Sequence, residues 1–227
     1  MRPGVRRVPG PLPLVYGADG WPAPAFIRPD PLQQWDSLLW ARWGSGAPAG
    51  VALHCFVEDW RFETAWRRPE LTVSPALLAR IVVAPDFSIS WSDPEPWAAH
   101  QVWRSRSVGH FWAAHGAVVV PVLQWGGPQT WPACARGIRP GSVVAVRGPS
   151  VACGSSPTGG AVQTEGPHLE GLHDRWLQGA NYLQRVLNPG SVIQFGNSYG
   201  SEVWQCRVFT VPLFSRAARR LRKIGHA

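Results

Sequence analysis

Apolar residues in this chain gather in short, unbroken, β-branched runs: VALHCFV (51–57), RIVVAPDFSI (80–89), AVVVPVLQW (117–125), SVVAVRG (142–148) and SVIQFG (191–196). A strand with one wet face alternates apolar and polar positions, so continuous runs suit strands buried on both faces, as in a parallel sheet. Their starts lie about 25 to 49 residues apart, the spacing of β–α units with inserted loops. The segments between them predict helices. Pro96–His115 carries proline in its first turn and stops before Gly116. His173–Leu187 sets Trp176, Ala180, Leu183 and Leu187 at helical intervals ahead of Asn188-Pro189-Gly190. EVWQCRVFTVPLF, after Gly200, reads as a further strand, and a short helix is expected near Leu32–Trp43.

Successive strand–helix–strand units predict an α/β protein built as a barrel-like or incomplete TIM-type barrel of parallel βα units, with an open doubly wound sheet as the alternative. Polar residues follow many of the strands instead of one crevice, which favours the barrel. The phrase Pro-Gly-Ser-Val introduces two of the strands, at Pro140 and at Pro189. Residues 149–167 are a small-residue loop of lid-like character. The expected organisation is a Pro/Gly-rich leader (1–50), a single α/β domain (51–214) and a basic tail (215–227).

The net charge of +8 suggests a polyanion partner until its distribution is considered. Arg2, Arg6 and Arg7 at the start and Arg216, Arg219, Arg220, Arg222 and Lys223 at the end have no acid among them in residues 1–15 and 216–227, and together they equal the whole excess. Lys223 is the single lysine among 22 basic residues, a bias typical of high-GC genomes, which discounts the basicity further. Cys55, Cys134, Cys153 and Cys206 form no CxxC pair, so free thiols are expected rather than a disulfide framework or zinc knuckle. No run approaches the roughly 18 apolar residues of a membrane span, and the first residues lack the apolar core of a signal peptide. The expected location is the cytoplasm, without a membrane partner.

In parallel α/β folds the ligand site forms at the carboxyl ends of the strands. Those ends carry Glu58 and Asp59, Asp86 and Ser88, Gln124 and Trp125, Arg147, and Gln194 and Asn197. Asp59 and Asp86 are candidates for an acid–base pair or for oxygen ligands of a divalent cation, with Gln124 as a third catalytic group. The alternative is that these carboxylates cap helices or pair with Arg61, Arg104 or Arg106. The same three arginines, with Trp125 and Asn197, are the candidate substrate contacts, and WRSR (103–106) with Trp112 is a pattern that could grip phosphate beside stacked bases. No GxGxxG fingerprint, Walker lysine or GxSxG elbow is present.

The motifs EDWRFETAW, APDFSI, VWRSRSVGHFW running into VVVPVLQWG, GIRPGSVVAVRG and NPGSVIQFGN, in that order over roughly residues 52–197, resemble domain of unknown function family 4417, spread through bacteria, archaea, phages and mobile elements. The family's phrase Ser-Trp-Gly-Asp stands here as Gln124-Trp125-Gly126-Gly127. A more distant likeness, by analogy only, is to the barrel of queuine-type transglycosylases, with Asp59, Gln124 and Gly196 in similar places. The expected function is action on a nucleotide or nucleic-acid component through strand-end carboxylates, with the arginines on phosphate. The alternative is a non-catalytic DNA- or RNA-binding accessory protein of plasmid or phage replication that uses Arg216, Arg219, Arg220, Arg222 and Lys223 as an electrostatic arm.

Overall fold

The computed structural model describes residues 20–23, 34–149 and 168–213. Within them eight strands lie in two four-stranded parallel sheets, each in chain order. The first holds β1 (Trp40–Arg42), β2 (Ala52–His54), β3 (Val82–Val83) and β4 (Val119–Val120); the second holds β5 (Val122–Leu123), β6 (Val143–Arg147), β7 (Ser191–Phe195) and β8 (Arg207–Val211). Pro121 separates β4 from β5. It has no N–H to give a neighbour, but its carbonyl still accepts from the Ala145 amide at 3.0 Å, so one run, 119–123, belongs to both sheets.

The helices are α1 (Glu63–Arg67), α2 (Val73–Leu78), α3 (Glu95–Ala114), α4 (Trp131–Ala135) and α5 (His168–Leu187). The chain leaves α5 through Asn188, at φ 39°, a left-handed turn that asparagine tolerates better than most side chains. The repeated Pro-Gly-Ser turns then meet: the Gly141 amide donates to Leu187 O at 3.0 Å and the Gly190 amide to Ser142 O at 3.0 Å. Those bonds bring β6 and β7 into register from their first residues, Val143 opposite Ser191.

Alternate strand positions part into two apolar clusters. Val143, Ala145, Ile193, Phe195, Phe209 and Val211 pack with Trp40, Leu53 and Val119. Val144, Val146 and Val192 pack instead with Ala180, Leu183 and Leu187 of α5. Phe195, on β7, also meets the rings of Trp40, His54 and Phe56, each at 4.9 Å between centroids. The inner face of the second sheet is thereby covered by side chains from β1, from β2 and from the residues just after β2.

The helix expected at Leu32–Trp43 does not form over its described residues: 34–39 are turns and bends, and Trp40–Arg42 is a strand beside β2. Its three residues are too few to show a period, and pairing with Ala52–His54 decides its form. Residues 24–33 of the proline-rich leader, the lid-like loop at 150–167 and the tail from 214 lie outside the described residues.

Candidate functional site

A cavity of about 400 Å³ opens at the carboxyl ends of β3, β5 and β6, with the first described turns of α5 as its far wall. Asp86, Ser88, Ile89 and Trp91 come from the segment after β3; Gln124, Trp125 and Gly126 follow β5; Arg147 ends β6; Arg175 and Trp176 come from α5. Close backbone packing shapes this rim. A Cβ on Gly126 would stand 2.2 Å from the Ser90 carbonyl oxygen, and one on Gly179 would stand 2.2 Å from Cδ1 of Trp125. Glycine at 179 therefore lets the Trp125 indole lie directly on the α5 backbone. Trp176 packs 5.2 Å from Trp125, centroid to centroid, and its Nε1 donates to the Arg147 carbonyl at 3.0 Å, tying α5 to the end of β6.

Among the described residues Asp86 is the carboxyl group that opens on this cavity. Burial pushes it up from 3.8 to about 7; the Arg147 guanidinium opposes that rise and the Asp59 carboxylate adds to it. Asp59 lies near enough to be felt but does not line the cavity. Its Oδ1 accepts from Ser88 Oγ at 2.8 Å and its Oδ2 from the Ser88 amide at 3.1 Å. Asp59 thus fixes the segment that carries Asp86. Beneath them, burial and then the Asp86 charge push the Cys55 thiol well above its usual range, so it stays protonated.

Gln124 is buried, and neither its Nε2 nor its Oε1 has a hydrogen-bond partner. A buried amide left bare on both atoms costs about 1–3 kcal/mol. Gln194, two strands over on β7, is bare only at Oε1: its Nε2 donates to Asn197 O at 2.8 Å and to Tyr199 O at 2.9 Å. It braces the turn after β7.

Asp86, Gln124 and Trp125 thus meet in one cavity, with Asp59 directly behind. The other substrate candidates are engaged elsewhere. Arg61 pairs with Glu58 at 2.6 Å and lies against Trp60. Arg104 binds Glu63 and Gln101 and covers the Phe87 ring at 3.8 Å. Arg106 is fully buried and donates to the carbonyls of Arg136, Val122 and Cys134 at 3.0, 2.9 and 3.3 Å. Asn197 donates to Pro149 O and accepts from the Tyr199 amide. Arg216, Arg219, Arg220, Arg222 and Lys223 lie outside the described residues. Among the described residues no group of three or more His, Cys, Asp or Glu gathers that could hold a metal ion, and no helix is long and apolar enough to cross a membrane.

Trp91, Arg175 and Gly179 were not singled out by pattern, and Trp176 was read only as part of the packed face of its helix. Arg175 and Trp176 sit in a helix whose period marks only its packed face, and Trp91 follows a strand by several loop residues, so no spacing distinguishes them.

Comparison with known proteins places these residues in context. The family described as domain of unknown function (DUF4417) matches residues 27–168. The chain is 39% identical over 100 residues to the Gene 1 protein of Mycobacterium phage L5, covering 44% of each. It is 40% identical over 101 residues to the Gene 1 protein of Mycobacterium phage D29, covering 44% of this chain and 37% of that one. The matched stretch thus spans less than half the length of either relative. No solved structure matches the chain.

Proposed function

This chain belongs to the phage-associated family described as domain of unknown function (DUF4417), and from its cavity we propose an acid–base site that acts on a nucleobase-bearing ligand, a nucleotide or nucleic-acid component. The observation that carries this reading is the buried Gln124 amide, bare on both polar atoms, on a residue that lines the cavity. A side-chain amide offers one donor and one acceptor in a plane, the complement of a base edge. The indoles of Trp91, Trp125 and Trp176 supply flat apolar surface beside it, on which a base can stack. Asp86, with its carboxyl raised to about 7, exchanges a proton near neutral pH, as a general acid or base must. Asp59 is its positioning residue.

The scaffold that fits this site is an incomplete parallel barrel. In its favour, strand order follows chain order throughout, one run belongs to both sheets, and Trp40 reaches Phe195 across the interior. A barrel of this kind carries its chemistry on the rim where Asp86 and Gln124 stand.

Replacing Gln124 tests the reading. Gln124→Leu fills the same space without bare polar atoms, so unfolding in urea should show a gain of about 1–2 kcal/mol. Calorimetry with the common nucleosides and nucleoside 5′-monophosphates should show at least one ligand for the wild type, bound about tenfold or more weakly by the variant. A leucine variant that is less stable than the wild type and binds as well contradicts the proposal.

A further inference from the structure

Resting on that reading, we infer that the mouth of the cavity holds a phosphate subsite formed by Arg147 and Arg175, so that the preferred ligand is a phosphorylated nucleoside rather than a base or nucleoside alone. The two arginines reach the cavity from opposite elements, the end of β6 and the start of the described part of α5. Both are exposed. The ion pairs of the described residues use Arg61, Arg67 and Arg104; neither Arg147 nor Arg175 forms one within 4 Å, although the Arg147 guanidinium acts on the Asp86 carboxyl group from a greater distance.

Their placement is held by structure, not by charge. Arg147 continues the inward row of Val143 and Ala145, and its own carbonyl is clamped by Trp176 at 3.0 Å. The Arg175 guanidinium lies 4.9 Å from the Trp91 ring centre, a contact that orients a cation without neutralising it. Among the described lining residues Asp86 is the one acid. With two guanidinium groups and one carboxyl group, the cavity favours an anion even when Asp86 is ionised. Guanidinium groups bind phosphate oxygens through paired N–H donors. A volume of about 400 Å³ lies within the range of roughly 300–1,000 Å³ found for small-molecule sites and suits a single nucleotide.

The experiment is calorimetric titration of the full chain with each common nucleoside and its 5′-monophosphate, repeated on Arg147→Gln, Arg175→Gln and the double variant. Thermal melts confirm that these exposed substitutions leave the fold intact. The monophosphate should bind wild type about tenfold or more tightly than its nucleoside, the scale of charge-assisted hydrogen bonds. The double variant should lose that preference and keep nucleoside affinity within about twofold. Equal affinity for nucleoside and monophosphate in the wild type, or a preference that survives the double substitution, overturns the phosphate subsite and leaves the base-binding reading standing. Absence of binding by any of these ligands overturns both. A short single-stranded oligonucleotide is the third arm: affinity matching the monophosphate assigns the phosphate to a strand, and weaker affinity assigns it to a free nucleotide.

Discussion

Asp86→Asn is expected to stabilise the protein at pH 8, to leave its stability nearly unchanged at pH 4, and to abolish any proton transfer carried out in the cavity. The sign follows from linkage. Burial raises the folded-state pKa of Asp86 from 3.8 to about 7, so between those values the native chain holds a proton that the unfolded chain releases. Unfolding free energy therefore falls as pH climbs from about 4 to 7, and above 7 the penalty is present in full. At about 1.4 kcal/mol per pH unit the upper bound is roughly 4 kcal/mol. Because the carboxyl group opens on a cavity that water can enter, about 1–2 kcal/mol is the expected gain on substitution at pH 8. Urea unfolding of both proteins at pH 4, 6 and 8 measures the difference. Where turnover of a nucleotide is found, the same change should lower its rate by about 10²- to 10⁴-fold, the usual contribution of a positioned acid or base. An asparagine variant equally stable relative to wild type at all three pH values would place Asp86 in water, without a perturbed proton.

The largest structural loss is expected at Arg106. Its guanidinium satisfies the carbonyls of Arg136, Val122 and Cys134 and so joins α3 to β5 and to the short helix α4. Arg106→Met keeps much of the stem's packing but leaves these acceptors bare in a buried place, which should cost about 3–5 kcal/mol. A shift of the urea midpoint reports it directly. A loss below about 1 kcal/mol would mean that the carbonyls find other partners. This arginine is a structural strut; the exposed arginines of the rim, Arg147 and Arg175, are others.

Much of the framework was legible because burial leaves a mark in composition. The runs at 51–57, 80–89, 117–125, 142–148 and 191–196 each contain a strand of the parallel sheets, and their lack of alternation reflects coverage on both faces. The helices at Pro96–His115 and His173–Leu187 coincide with α3 and with most of α5. Trp40–Arg42 was not legible, since three residues carry no period. The setting of the WRSR arginines was not legible for a different reason. Charged residues on a helix are usually solvated, but α3 is buried from Val102 to Trp112 except at Trp103. Arg104 and Arg106 are accommodated there by pairing with Glu63 and with backbone carbonyls, partners contributed by segments far away in sequence. Strand-end logic named Asp86, Gln124 and Trp125, and these three line one cavity because parallel strands share a direction. It had no means of finding Arg175 and Trp176, which reach that rim from a helix.

The central claim is that the bare Gln124 amide and the Asp86 carboxyl group face one ligand, and a crystal structure of the chain grown with a nucleoside 5′-monophosphate tests it most directly. The expected result is a base edge at about 2.7–3.2 Å from Gln124 Nε2 and Oε1, with Asp86 beside it. A nucleotide bound elsewhere on the molecule, with the Gln124 amide still unpaired, would contradict the account.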